Sequence, residues 1–182
     1  MRVVVTGTPG TGKTSAVEAL EADSAFADSG LEVVHLNDLI ESEALWTERD
    51  DERDSLVADL DAVAERVGET ADSLGDDGDL LAESHLAHHL DADRAVVLRC
   101  HPEELERRLT ERGESEAKAA ENAESEALDV ILSEAVNAHG IENVYEIETT
   151  DRDPEAVADE IRAVVAGERD PSAGDVSYID YL

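Results

Sequence analysis

Short aliphatic and β-branched runs alternate along this chain with stretches whose apolar residues recur every three or four positions. Residues 2–6 (Arg-Val-Val-Val-Thr) show no polar alternation, as expected of a strand covered on both faces. Residues 15–22 then take helical spacing through Ala16, Ala19 and Leu20. Further strands are predicted at 31–36, 79–83, 94–99 and 143–147. Residues 54–67 read as a helix whose stripe is Leu56, Val57, Leu60, Val63, Ala64 and Val67, followed by a polar connection at 68–78. Pro102 suits the first turn of a helix carrying Leu105 and Leu109. Residues 115–138 read as one long helix, polar at first and then apolar through Leu128, Ile131, Leu132 and Val136, with His139-Gly140 as its stop. Asp153-Pro154 opens a last helix, and 167–182, rich in Gly, Pro, Ser and Asp, is expected to be a loose tail. Strands separated by helices predict an α/β fold, a parallel sheet with helices on both faces, in one domain over 1–182.

The charge changes what such a domain can bind. With 14 Lys+Arg against 47 Asp+Glu the net charge is −33, and the acids are spread along the whole chain. Such a field repels nucleic acid and anionic membranes, so sequence-specific nucleic-acid binding and membrane attachment are not expected. Dispersed acids with scarce lysine look like adaptation to molar salt, as in halophilic archaea, and folding and activity are expected to require it. No apolar run approaches the roughly 20 residues of a membrane span, and the first residues lack a signal-peptide pattern. Cys100 has no partner for an intrachain disulfide, which fits a reducing, cytoplasmic location.

A phosphate site in this field must supply its own positive charge, and one segment does. Gly7-Thr8-Pro9-Gly10-Thr11-Gly12-Lys13-Thr14 satisfies G-x-x-x-x-G-K-[ST], between a buried strand and a helix. The glycines let successive N–H groups face a phosphate, and the helix start adds its positive end. Lys13 can reach the β- and γ-phosphates, Thr14 can ligate Mg²⁺, and Ser15 can donate to the α-phosphate. The segment is expected to bind a nucleoside triphosphate.

No guanine-reading N-K-x-D is present. Arg108 and Arg112, four apart before Gly113, share a helix face where P-loop kinases keep a lid; Arg107 adjoins them. Surface pairing to Glu104 or Glu111 is the competing explanation for such arginines. His85, His88 and His89 invite a zinc reading, but H-E-x-x-H is missing and no third ligand is obvious nearby in sequence. His35 and His101 are expected to pack or lie at the surface. Trp46 is either a substrate platform or a hydrophobic plug. The glutamates of 115–126 read mostly as a solvated face, some of them available to a basic partner.

Taken together, the motifs resemble the adenylate kinase isoenzyme six family. The residues that carry this are the loop at 7–14, Leu36-Asn37-Asp38-Leu39, Asp50-Asp51-Glu52-Arg53-Asp54 and Glu83-Ser84-His85. They continue with Val96-Val97-Leu98-Arg99-Cys100, Arg108-Leu109-Thr110-Glu111-Arg112-Gly113 and Glu121-Asn122-Ala123-Glu124-Ser125-Glu126-Ala127, covering the chain in the family's order. The resemblance implies a five-stranded parallel P-loop fold, a nucleoside-monophosphate region near 35–58 and a lid near 111–121. It implies phosphoryl transfer from MgATP to AMP or a related monophosphate, with ATPase activity. It also implies transient binding to a small-subunit ribosomal protein and pre-ribosome during rRNA maturation. By position, Gly10, Gly12, Lys13, Thr14 and Ser15 hold the ATP phosphates, Arg112 closes on them, and Thr149–Arg152 lines the adenine. Glu83 and His85 occupy the acid-x-His position, where the carboxylate orients the Mg²⁺ shell or a water and the imidazole is its hydrogen-bond partner. Three features depart from the family pattern: Glu83 replaces the commoner Asp, the tyrosines around 50–54 are largely absent, and Glu41 stands where relatives can carry an arginine. Arg49 and Arg53 are the nearby candidates for that monophosphate contact.

Overall fold

The computed structural model describes residues 1–27, 29–50, 55–75 and 78–182. In chain order the elements are β1 (Arg2–Thr6), α1 (Lys13–Ala22), α2 (Ser24–Ala27), β2 (Leu31–His35), α3 (Leu36–Ser42), β3 (Trp46–Asp50) and β4 (Ser55–Ala58). They continue with α4 (Leu60–Ser73), β5 (Asp79–Glu83), β6 (Arg94–Arg99), α5 (Pro102–Glu111), α6 (Glu116–Ala127), α7 (Val130–His139), β7 (Val144–Glu148) and α8 (Pro154–Ala166). The main sheet is five-stranded in the order β2-β5-β1-β6-β7, and its paired strands run parallel.

Alternate residues of the buried strands feed two cores. Val3, Val5, Leu81, Val96 and Leu98 pack with Ala16, Val17 and Leu20 of α1 and Val157, Ile161 and Val164 of α8. Val4, Leu80, Ala82, Ala95 and Val97 pack on the other face with Leu36 and Ile40 of α3, Val63 and Val67 of α4, and Leu132 and Ala135 of α7. With both faces covered, the central strands β1 and β6 contain no polar alternation, which is why β1 reads as a continuous apolar run. β1 lies between β5 and β6, with Val5 opposite both Glu83 and Val96. The loop leaving β1 therefore opens at the carboxyl edge, where the sheet order reverses and α/β folds bind ligands.

Three expectations are corrected. Of the helix predicted over 54–67, the first part is strand β4, paired antiparallel with β3 (Arg49 opposite Leu56). Asp59, whose carboxylate accepts from Ala62 N at 3.1 Å, starts α4 only afterwards. Leu56 and Val57 fit a helical stripe by spacing alone; the cap at Asp59 marks the true boundary. The long helix over 115–138 is broken into α6 and α7 at Asp129, whose φ is 54° and whose carboxylate meets Arg99 Nη2 at 2.5 Å. The expected loose tail is tied down: Gly174 and Asp175 donate backbone N–H groups to Glu146 Oε2 at 2.6 and 2.8 Å. Tyr178 is buried, with its hydroxyl 2.9 Å from Glu148 Oε1. No described helix is long and apolar enough to cross a membrane.

Candidate active site

The loop between β1 and α1 is shaped by glycine and seated on neighbouring elements. Gly7 has φ +140°, and a Cβ there would stand 2.5 Å from Leu98 O, so the loop can pass β6 only without a side chain. Below the loop, the space beside Gly10 is filled by Leu105 and Leu109 of α5. Thr149, just past β7, donates its hydroxyl to Thr11 O at 2.9 Å. Thr8 donates to the buried carboxylate of Glu126 at 2.5 Å. The loop is thus held from three sides before any nucleotide arrives.

Gly12 is the N-cap of α1 and provides no side-chain cap, leaving the first N–H groups of the helix for an anion. Lys13 follows it, buried, with Nζ donating to Gly7 O at 2.9 Å and Thr8 O at 3.1 Å. Burial lowers its pKa to about 8; Glu83 and Glu126 act against the shift, and Arg112 adds to it. Gly10, Gly12, Lys13, Thr14, Ser15 and Arg112 line one small cavity of about 50 Å³. The predicted phosphate-loop residues and the lid arginine are therefore brought together.

The three adjacent arginines separate. Arg112 is the C-cap of α5 and faces the loop. Arg108 donates to Glu104 Oε1 at 2.8 Å and Thr149 O at 3.2 Å, and its Nη1 lies 3.9 Å from where a Cβ on Gly12 would be. Arg107 points away and pairs at the surface with Glu104 and Glu111.

Glu83 ends β5, buried, beside the loop. Its Oε1 accepts from Thr14 Oγ1 at 3.2 Å, and its Oε2 lies 3.0 Å from Nδ1 of His35. His35 reaches Glu21 Oε2 at 3.1 Å through Nε2. Burial alone would lower the His35 pKa, but the hydrogen bonds to Glu83 and Glu21 outweigh it and raise the pKa above 6.5. Here the structure corrects the sequence reading: the imidazole partner of Glu83 is His35, not His85. β2 and β5 pair with His35 directly opposite Glu83, a register that one-dimensional spacing does not contain. The two hard oxygens of Thr14 and Glu83, side by side, fit a Mg²⁺ ion or its water shell.

His85 instead lines a second cavity of about 640 Å³ with Asn37, Glu41, Trp46, Arg49 and Leu56. Its pKa falls to about 4 through burial, with the positive charge of Lys13 and the neighbouring His88 and His89 adding to the shift. The imidazole is neutral at physiological pH. Asn37 is held by Ser84 Oγ at 2.9 Å, so α3 and the turn after β5 form one wall. β3, carrying Trp46 and Arg49, forms the other. Arg53 and most of the Asp-rich segment, 51–54, lie outside the described residues.

Sequence reading missed one buried network. Arg99 is 1 % exposed and donates through Nε to Glu126 Oε1 at 2.7 Å, with Glu146 and Asp129 on its other nitrogens. Glu126 also accepts from Cys100 N at 3.2 Å and from Thr8. Among the glutamates read as a solvated face, this one is 3 % exposed. The available signal was a lone arginine at the end of an apolar strand, which needs a buried counter-charge. Cys100 is buried and its pKa rises to about 11 through burial, so it is a packing residue.

A glycine-rich loop from the central strand of a parallel sheet, with a lysine at its base and arginines of α5, in the connection between β6 and β7, beside it, defines the P-loop kinase fold. A shikimate kinase structure from Bacteroides thetaiotaomicron shares that fold at TM-score 0.59 and 18 % identity, covering 91 % of this chain and 98 % of that one. The AAA domain family matches residues 3–129. A protein of Natronomonas pharaonis named "Putative adenylate kinase" is 58 % identical over 182 residues, spanning 100 % of both chains. Proteins of the same name from Halobacterium salinarum and Methanosarcina acetivorans are 55 % and 42 % identical, covering 100 % and 91 % of this chain and 100 % and 86 % of their own lengths. The chain belongs to this adenylate kinase family.

Proposed function

We propose that the protein is an ATP-dependent nucleoside-monophosphate kinase, catalysing ATP + AMP to two ADP or the same transfer to a related monophosphate. The observation that carries this reading is a pair of cavities, the phosphate loop with Arg112 for the donor and the His85–Arg49 cavity for an acceptor, close enough that the Lys13 charge acts on His85. An acceptor phosphate oxygen attacks the γ-phosphorus of ATP, the bond to the β-phosphate oxygen breaks, and ADP leaves without a covalent enzyme intermediate. Lys13, Arg112 and Arg108 neutralise charge on the transferring group, and the lid near 111–121 excludes water. Thr14 and Glu83 would hold Mg²⁺, which would neutralise the β- and γ-phosphate oxygens. The region 35–58 is the monophosphate site, with Arg49 opposite Glu41 and His85 as a neutral hydrogen-bonding group. Thr149–Arg152 borders the adenine.

A second reading rests on Glu41, a carboxylate in the wall of a cavity meant for a phosphate. In it the protein is an ATPase that associates with a small-subunit ribosomal protein during rRNA maturation, the −33 charge meeting a basic segment, and kinase turnover is vestigial. An acceptor screen in molar KCl separates the two. Under the first reading ADP forms from ATP and one or more monophosphates, and Lys13→Ala lowers turnover by about 100-fold or more while the circular-dichroism spectrum remains that of the folded chain. ATP consumption that ignores every monophosphate but rises with the ribosomal protein supports the second. Unchanged turnover in Lys13→Ala overturns both.

A further inference from the structure

His88 and His89 lie on the short turn Ala87–His89 after β5, packed against α7. His88 is 2 % exposed, and both of its ring nitrogens are engaged. Nδ1 is 2.9 Å from Thr6 Oγ1, and Nε2 is 3.0 Å from Glu134 Oε2 on α7. The Thr6 hydroxyl also lies 3.3 Å from His85 O, so it can donate its one proton there and accept from His88 Nδ1–H. In that tautomer Nε2 presents its lone pair to the Glu134 carboxylate, and a cation seated between them would bridge the two.

A further donor is within reach. The ligating atoms of His88, His89 and Glu134 all lie within 4.8 Å of one another, and the two imidazole rings are 4.1 Å apart at an angle of 43°. We propose that His88, His89 and Glu134 form a binding site for a divalent transition metal of the zinc class. Two imidazoles and a carboxylate are a borderline donor set that suits such an ion, with water as a fourth ligand. Zinc bonds of about 2.0–2.1 Å give a tetrahedral edge of roughly 3.3 Å, close to the present His88–Glu134 spacing. His89 and Glu134 are exposed and can close the remaining distance, whereas His88 is preset by Thr6, an outer hydrogen bond that fixes tautomer and ring orientation. His139 adds a second tie between turn and helix, its Nε2 2.9 Å from His88 O. The site differs in donor chemistry from the all-oxygen pair Thr14 and Glu83. Its metal would clamp onto α7 the turn that carries His85 into the acceptor cavity.

The test is a Co²⁺ titration of the full chain, stripped by chelator and held in molar KCl, followed by Zn²⁺ displacement. One equivalent of Co²⁺ with the intense visible absorption of a four-coordinate site is expected, lost on adding Zn²⁺, together with a higher melting temperature in Zn²⁺. His89→Ala and Glu134→Gln change exposed side chains and should each weaken Co²⁺ binding about tenfold or more. Absence of the spectrum would mean that a proton alone bridges His88 and Glu134, and it overturns the proposal. So does binding that is unchanged in both variants, because the acidic surface would then be holding the ion.

Discussion

At the scale of single residues, the candidate site depends on groups whose charge the fold has adjusted. Lys13 titrates near 8 because burial disfavours its ammonium form. A cation whose pKa is lowered by folding costs stability while protonated, and the cost fades as pH rises from about 8 towards 10.5. In the folded chain the positive charge that would meet a phosphate is itself lost as pH rises through about 8. Affinity for MgATP, measured by calorimetry in molar KCl, should fall roughly tenfold between pH 7 and 9.5, while the fold persists. A flat profile would mean that Lys13 is not the group meeting the phosphates. The His35–Glu83 pair has the opposite dependence: with the His35 pKa raised, its contribution is complete below 6.5 and is lost as pH climbs through the folded value. That Lys13 and Thr14 sit together in the loop was legible from sequence because a local motif places them, and Arg112 lines the same cavity. The role of His35 was not legible, because it exists only through a strand register.

At the scale of elements, the phosphate loop is supported by α6, which packs behind it. Glu126 binds Thr8 of the loop, the Cys100 amide and Arg99 together. Glu126→Gln keeps the shape but removes a buried charge opposite Arg99 and weakens the acceptor for Thr8. It should cost about 1–3 kcal/mol. That corresponds to a melting temperature lower by roughly 2–10 °C. MgATP affinity should fall as well, because the loop loses part of its support; a melt and a nucleotide titration of the same variant check both. A variant that melts lower but binds normally would confine Glu126 to the core. Periodicity recovered every strand of the main sheet and most helices, since burial on both faces leaves a plain apolar signature. It failed at β4, where a four-residue strand of a hairpin mimics a helical stripe. It failed again at Asp129, where a side chain drawn to Arg99 interrupts an otherwise continuous helix.

At the scale of the whole molecule, a net charge of −33 on 182 residues opposes compaction. Screening reaches about 3 Å at 1 M salt but about 10 Å at 0.1 M, so dilution restores repulsion between surface carboxylates. The buried Arg99 network is screened far less and remains at either salt level. Circular dichroism should show the folded chain in molar KCl and cooperative loss of structure on dialysis to about 0.1 M, reversed by adding salt back. Full structure and turnover in dilute buffer would contradict this account of the acidic surface. The amino-acid order alone disclosed the alternation of strands and helices and the phosphate loop, because both leave a pattern among near neighbours in the chain, although the strands themselves pair over long separations. Which imidazole holds Glu83, where Glu126 lies and how the last residues dock on Glu146 were settled only by tertiary structure. Those contacts join positions dozens of residues apart, and their energies depend on burial, which no single stretch of sequence specifies.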